Sequence, residues 1–283
     1  MPTGTEPEAV EPQAPLPTLA PAPTLTPTQA PAPSPAPAPA PAPAPEILAA
    51  FEAAKGFMPV HEGLALYAAA VHASALGLPL LEVGTYCGRS TLLLAAAARE
   101  AGTVAVTVDH HRGSEEQQAG WEYHDPTLVD PDTGRMDTLP TFRRTLHHSG
   151  LEDHVIAVVG RSPQVAQVWG GQVGLVFIDG GHTDEHANGD YEGWVPRLAE
   201  GGLLVIHDVF PDPADGGQAP YRIYRRALAS GAFTETTTET GTTSGAETTT
   251  ETATDSGTPA STGPAVPPVT DSLRVLRRTA PGI

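Results

Sequence analysis

The chain of 283 residues has a single cysteine, Cys87, and a single lysine, Lys55, beside fourteen arginines. One thiol excludes an intramolecular disulfide and any cysteine-built zinc site, and it agrees with a reducing cytoplasm, the expected location. Positive charge is scarce: 15 Lys and Arg face 33 Asp and Glu, a formal net charge of −18, so nucleic acid and anionic membranes are poor partners and neither is expected. No apolar run approaches the roughly 20 residues of a membrane span, and the opening MPTGTEPEAVEPQ lacks the basic and apolar regions of a secretion signal. Arginine in place of lysine, with abundant Ala, Gly and Pro, is the composition expected of a GC-rich bacterial genome.

Two long stretches lack large apolar side chains, so burial cannot offset the cost of ordering them. Residues 1–45 are mostly alternating Ala and Pro, in which missing amide donors and fixed φ favour a solvated polyproline rod; they are read as a disordered tether. Residues 235–270, rich in Thr and Glu, are read as a disordered insertion. The remainder of 46–283 is long enough for one domain of ordinary size.

Within that remainder strands and helices alternate. EILAAFEAAKGF and HEGLALYAAAVHASALG have helical apolar spacing, LPLLEVG is a short strand, TLLLAAAAREAG a helix and VAVTVDH a strand ending on an acid. His110 to Pro140 is a long polar stretch expected to cover a ligand. TLPTFRRTLHHSGL (helix), HVIAVVG (strand), SPQVAQVWG (helix), VGLVFIDGG (strand), HTDEHANGDYEGWVPRLAEGG (helix) and LLVIHDV (strand) follow. After the helix YRIYRRALASG, GAFTET and DSLRVLRR are expected to pair as an antiparallel hairpin with the Thr-rich stretch at its tip, where lengthening costs little. The alternation predicts a parallel α/β sheet with helices on both faces.

Ligands of open α/β sheets bind at the carboxyl ends of strands, which here carry Glu82, Gly84, Asp109, Arg161, Ser162, Asp179, His207 and Asp208. The first turn, LEVGTYCGRS, puts Tyr86 where the dinucleotide pattern G-x-G-x-x-G has its second glycine, and a bulky side chain there hinders a diphosphate. An acid-rich turn suits a ligand bearing a sulfonium and an ammonium, with ribose hydroxyls for Asp109. S-adenosylmethionine has that pattern; the alternative is that Gly84 and Gly88 only form a tight packing turn.

LLEVGTYCGRST resembles the first motif of the class I S-adenosylmethionine-dependent methyltransferases. VFIDGGHTDEHANGDYEGWVPRLAEGGLLVIHDV is similar to the later part of a subgroup of small-molecule O-methyltransferases related to macrocin O-methyltransferase. The likeness spans about residues 58–210. It implies a Rossmann-like fold with a mostly parallel seven-stranded sheet and a C-terminal antiparallel strand. It further implies a cofactor site shaped by Glu82, Gly84 and Gly88, with Tyr86 and Ser90 in the same turn, Asp109 on the ribose, Arg161 and Ser162 at the adenine, and Asp179 near cofactor and acceptor.

Two carboxylates and an imidazole, Asp179, His207 and Asp208, are donors for a divalent metal, magnesium or manganese. His207 departs from the two-acid version of that site, which leaves two mechanisms open: a metal that acidifies the acceptor hydroxyl, or His182 or His207 as general base. His182 at a helix start is as readily a residue that bonds backbone. Trp121, Tyr123 and His124 either line an acceptor pocket or pin the long loop. His110, His111, His147 and His148 read mostly as solvated, Trp194 as core and Cys87 as structural. The expected activity is methyl transfer from S-adenosylmethionine to a hydroxyl of a small molecule such as a sugar or natural product. The alternative is a catalytically silent module of the same fold, tethered through its Pro/Ala arm. Oligomeric state is open, a homo-oligomer included.

Overall fold

The computed structural model describes residues 40–236 and 271–280. Most of the Ala-Pro tether and of the Thr/Glu-rich insertion therefore lies outside the described residues. At their inner ends, Pro43 is buried, Pro45 opens the first helix and Glu235 closes a strand.

Seven strands form one sheet in the order β3-β2-β1-β4-β5-β7-β6. The strands are β1 (Leu80–Val83), β2 (Ala105–Asp109), β3 (Val155–Val159), β4 (Val173–Ile178), β5 (Leu198–Ile206), β6 (Phe233–Glu235) and β7 (Arg274–Arg278). β1 to β5 pair in parallel, whereas β7 runs antiparallel to both β5 and β6, as the expected C-terminal hairpin requires. β1 and β4 are buried at every position, because helices cover both faces of a parallel sheet and leave no polar side to the pattern.

Alternate residues of each strand feed opposite cores. On one face, Leu80, Leu175 and Phe177 meet Phe51 of α1 (Pro45–Ala53), Leu66 of α2 (Val60–Ser74), Leu92 of α3 (Arg89–Ala101) and Phe142 of α4 (Leu139–Ser149). On the other, Leu81, Val176 and Ile178 meet Ala166 of α5 (Ser162–Val168), Trp194 of α6 (Asp184–Trp194) and Ile223 of α7 (Ala219–Ala229). Trp194 is fully buried, and truncating such a side chain costs about 3–5 kcal/mol. Among the described residues no helix is long and apolar enough to cross a membrane.

One boundary differs from the sequence expectation. The helix read as HTDEHANGDYEGWVPRLAEGG ends at Trp194, and after a short 3₁₀ turn LAEGG already belongs to β5. Pro196 falls in that turn, where it lacks the amide a continuing helix needs. Gly201, at φ +76, sits where the β4–β5 register jumps between Val173–Leu198 and Leu175–Leu203, so the extra residues bulge out of the ladder.

Candidate functional site

The sheet order reverses direction between β1 and β4, and the crevice beyond their carboxyl ends is the expected ligand position in such a sheet. A cavity of about 950 Å³ opens there. The two strand ends approach so closely that a Cβ on Gly84 would lie 2.1 Å from the Asp179 carbonyl oxygen, and Gly84 also sits at φ +89. Only glycine fits. Three of the four described non-glycine residues at positive φ follow strands around this crevice: Tyr86 after β1, His111 after β2 and Asp208 after β5. Such conformations cost on the order of 1–3 kcal/mol each and persist where the surroundings impose them.

Asp109 ends β2 and clamps the first turn. Its Oδ2 accepts from the amides of Thr85 and Tyr86, both at 2.9 Å, and its Oδ1 from the His111 amide at 2.7 Å. His111, expected to be solvated, is instead buried: its ring packs on Phe142 and its Nδ1 meets Thr138 Oγ1 at 2.7 Å. The chain reverses at positive φ there and turns the imidazole inward.

Gly84, Tyr86, Ser90 and Asp109 line the cavity, as do Arg161, Ser162 and Asp179. Glu82 and Gly88 do not reach its wall and shape the turn from behind. Glu82 is fully buried and accepts from Ser90 Oγ at 2.6 Å and Thr91 Oγ1 at 2.5 Å. Burial pushes its carboxyl up to about 7, against hydrogen bonds from Ser90, Thr91 and Thr107 that favour the charge. Gly88 caps α3 at φ +91, without a side-chain cap on the helix's first amides.

At the far end of the cavity carboxylates and imidazoles alternate. His207 Nδ1 lies 3.0 Å from Asp179 Oδ1 and 3.2 Å from Asp208 Oδ2, while its Nε2 lies 2.7 Å from Glu62 Oε2. His182 bridges Asp208 Oδ2, 3.0 Å from its Nε2, and Glu116 Oε2, 3.1 Å from its Nδ1. Burial pulls both imidazoles down, but the surrounding carboxylates outweigh it: His182 is held at about 9 and His207 well above its usual range. The same pairing outweighs burial at Asp208 and holds it far below the usual carboxylate range, whereas at Asp179 burial prevails and raises the carboxyl. Asp179, His207 and Asp208 each offer one donor atom within 4.8 Å of the other two.

The long loop forms one side of the cavity. It carries short 3₁₀ turns at Glu115–Gln117 and Pro126–Leu128, and it is held to the body by Lys55–Asp125 and Glu116–His182 and by Phe57 against Tyr123, ring centres 5.2 Å apart. Tyr123 lines the main cavity and Trp121 a side chamber beside His182, whereas His124 turns its Nδ1 to the Gln117 carbonyl within the loop. His147 and His148 are exposed at the end of α4. Cys87 is fully buried, and burial pushes its thiol up to about 12, in keeping with a structural role.

Glu62, Glu116 and Asp190 were not singled out by sequence. Asp190 faces the cavity from α6, beside Ser162, and burial pushes it up to about 6; Ser162 Oγ in turn accepts from Trp194 Nε1 at 2.8 Å. The available signal was an acid on an otherwise apolar helix face, for Glu62 above all.

Residues 81–209 match a family described as a methyltransferase domain. Among solved structures, the fold is similar to a Podospora anserina methyltransferase, PaMTH1, solved with SAH bound. The match has 14% identity, a TM-score of 0.52, and 84% of this chain and 89% of that one covered. It is similar also to the O-methyltransferase NovP, with 14% identity, a TM-score of 0.51, and 78% and 81% covered. Residues 81–209 thus match a methyltransferase-domain model, and the chain shares the Rossmann-like fold of these solved methyltransferases.

Proposed function

We propose that the cavity binds S-adenosylmethionine and that the protein transfers its methyl group to a hydroxyl oxygen of a small acceptor, a sugar or natural-product-like molecule. The observation that carries this reading is the convergence on one cavity of two different walls. One is a glycine turn with acids at strand ends, and the other a cluster of two imidazoles and three carboxylates, His182, His207, Glu116, Asp179 and Asp208. The first wall fits the cofactor. Oδ1 of Asp109, which accepts a single amide, keeps acceptor capacity for a ribose hydroxyl, and the uncapped start of α3 offers amides to a carboxylate. Asp190 and Ser162 give acceptors for an exocyclic amine.

Bound there, S-adenosylmethionine supplies an electrophilic methyl group. The residues of this chain orient the acceptor and handle its proton. His182 is the better placed base of the two imidazoles: both nitrogens of each face carboxylates, but His182 is partly exposed at the cavity wall whereas His207 is buried. Tyr123 and Phe57 give the acceptor an apolar face on the same cavity, and the long loop keeps bulk water from the reacting atoms.

The donor set also fits a divalent cation. Glu62 as a carboxylate only accepts, so His207 Nε2 donates to it, while Nδ1, which donates to Asp179 and Asp208 here, is the nitrogen that would give up its hydrogen to hold an ion. Asp179, His207 and Asp208 would hold the ion, the imidazole favouring manganese over magnesium, and its chemistry would be to acidify a bound hydroxyl. Titration calorimetry with S-adenosylhomocysteine, in EDTA and then with manganese, tests the cofactor. Micromolar binding, near −8 kcal/mol, is expected, followed by methylation of a hydroxylated acceptor in a screen. Absence of binding in both conditions overturns the reading and favours a silent module.

A further inference from the structure

We propose that Glu62 is a positioning residue for methyl transfer, fixing His207 from behind; this rests on the reading of the cavity as the transfer site. Glu62 lies near the start of α2 among Ala, Leu and Tyr, and it is 1% exposed. A buried carboxylate is costly unless its oxygens are paired, and these are. Oε1 accepts from the Ser272 amide at 2.7 Å, the Ser272 hydroxyl at 2.9 Å and the Leu273 amide at 3.1 Å. Oε2 takes His207 Nε2 at 2.7 Å.

Three segments distant in sequence therefore meet on one side chain: α2, the residues after β5, and the lead-in to β7. The division of labour between the two oxygens is what makes Glu62 more than an anchor. Three donors saturate Oε1 and fix the carboxylate in the plane that meets the imidazole. Since Oε2 can only accept, His207 donates Nε2–H to it, and this contact aims Nδ1, a donor in its turn, at Asp179 and Asp208. An imidazole ring free to flip would lose that aim. Where such an imidazole ligates a metal, as His207 would, the carboxylate behind it is worth about 10- to 100-fold in metal affinity or activity. Glutamine cannot replace it, because its oxygen serves either His207 or the Ser272 and Leu273 amides and its nitrogen then opposes a donor.

The test uses the full-length protein with ¹⁵N-labelled histidine, the His207 resonances being assigned by their loss in H207Q. Wild-type protein is expected to carry a hydrogen on His207 Nε2. In E62Q the His207 resonances should move, and kcat should fall about 10- to 100-fold with the acceptor KM and the S-adenosylhomocysteine affinity unchanged. Should E62Q fail to fold, E62D, which withdraws the same acceptor by one methylene, is read in the same way. A bare Nε2 in the wild type, an unchanged kcat, or a loss of kcat with unmoved His207 resonances overturns the proposal, the last leaving Glu62 as an anchor for β7. Failure of the wild type to bind S-adenosylhomocysteine overturns the transfer reading instead, and the resonances still report on the Glu62–His207 contact.

Discussion

Replacing Glu82 by glutamine should change how stability depends on pH. The carboxyl is fully buried and its folded pKa is about 7, against 4.5 for an unperturbed glutamate. A carboxyl raised on folding contributes stability that is fully present below 4.5 and is lost as pH rises through about 7, because the unfolded chain ionises first. The distance between the two values is worth about 3 kcal/mol. The amide in E82Q keeps the shape and, with the Ser90 and Thr91 hydroxyls free to rotate, keeps both side-chain hydrogen bonds, but it has no proton to lose. Urea unfolding of wild type and E82Q from about pH 4.5 to about pH 8 reads the difference, with other titrating groups cancelling between the two proteins. E82Q should gain about 3 kcal/mol on the wild type across that range. Two profiles that run parallel would refute the argument, because the carboxyl would then titrate alike in both states.

His182 is held at about 9, so its neutral form grows as pH rises toward that value, and wild-type kcat should climb from neutral pH to about 9. H182Q should lose about 10²- to 10⁴-fold in kcat together with that rise; an undiminished kcat would remove the base assignment. Gly84→Ala puts a Cβ 2.1 Å from the Asp179 carbonyl oxygen and should abolish S-adenosylhomocysteine binding or folding, whereas a folded variant with wild-type affinity would contradict the close approach. Cys87, with its thiol pushed up to about 12 by burial, should resist iodoacetamide at mildly alkaline pH in native protein and react once urea is added. Mass spectrometry showing rapid native alkylation would mean the turn opens readily.

The strands were legible because buried parallel strands leave uninterrupted apolar runs such as LLEV and VGLVFI, and the acids and glycines at their ends follow from the architecture. LAEGG was misread because a charged residue between small ones fits a fraying helix as well as a bulged strand, and only pairing with β4 decides. Side-chain partners were less legible. Glu62 lies 145 positions from His207 and Glu116 lies 66 from His182, and no local pattern marks residues joined only by the tertiary fold. His111 was missed for a related reason: a positive φ next to a buried threonine is not written in HHRG.

The Asp109 clamp bears on how a ligand would arrive. Fixing one residue's backbone costs about 1–2 kcal/mol of conformational entropy, and at Thr85 and Tyr86 the carboxylate of the neighbouring strand has already met that cost during folding. A molecule entering this end of the cavity encounters amides and a glycine turn in their final arrangement, so association there approaches lock-and-key behaviour, without an ordering step to slow it. Induced fit, where it occurs, is left to the outer part of the loop between β2 and α4, around Glu116 and Tyr123, which one partly exposed pair and one aromatic contact hold to the body, whereas Leu128 and Met136 pin the returning part on buried Cys87.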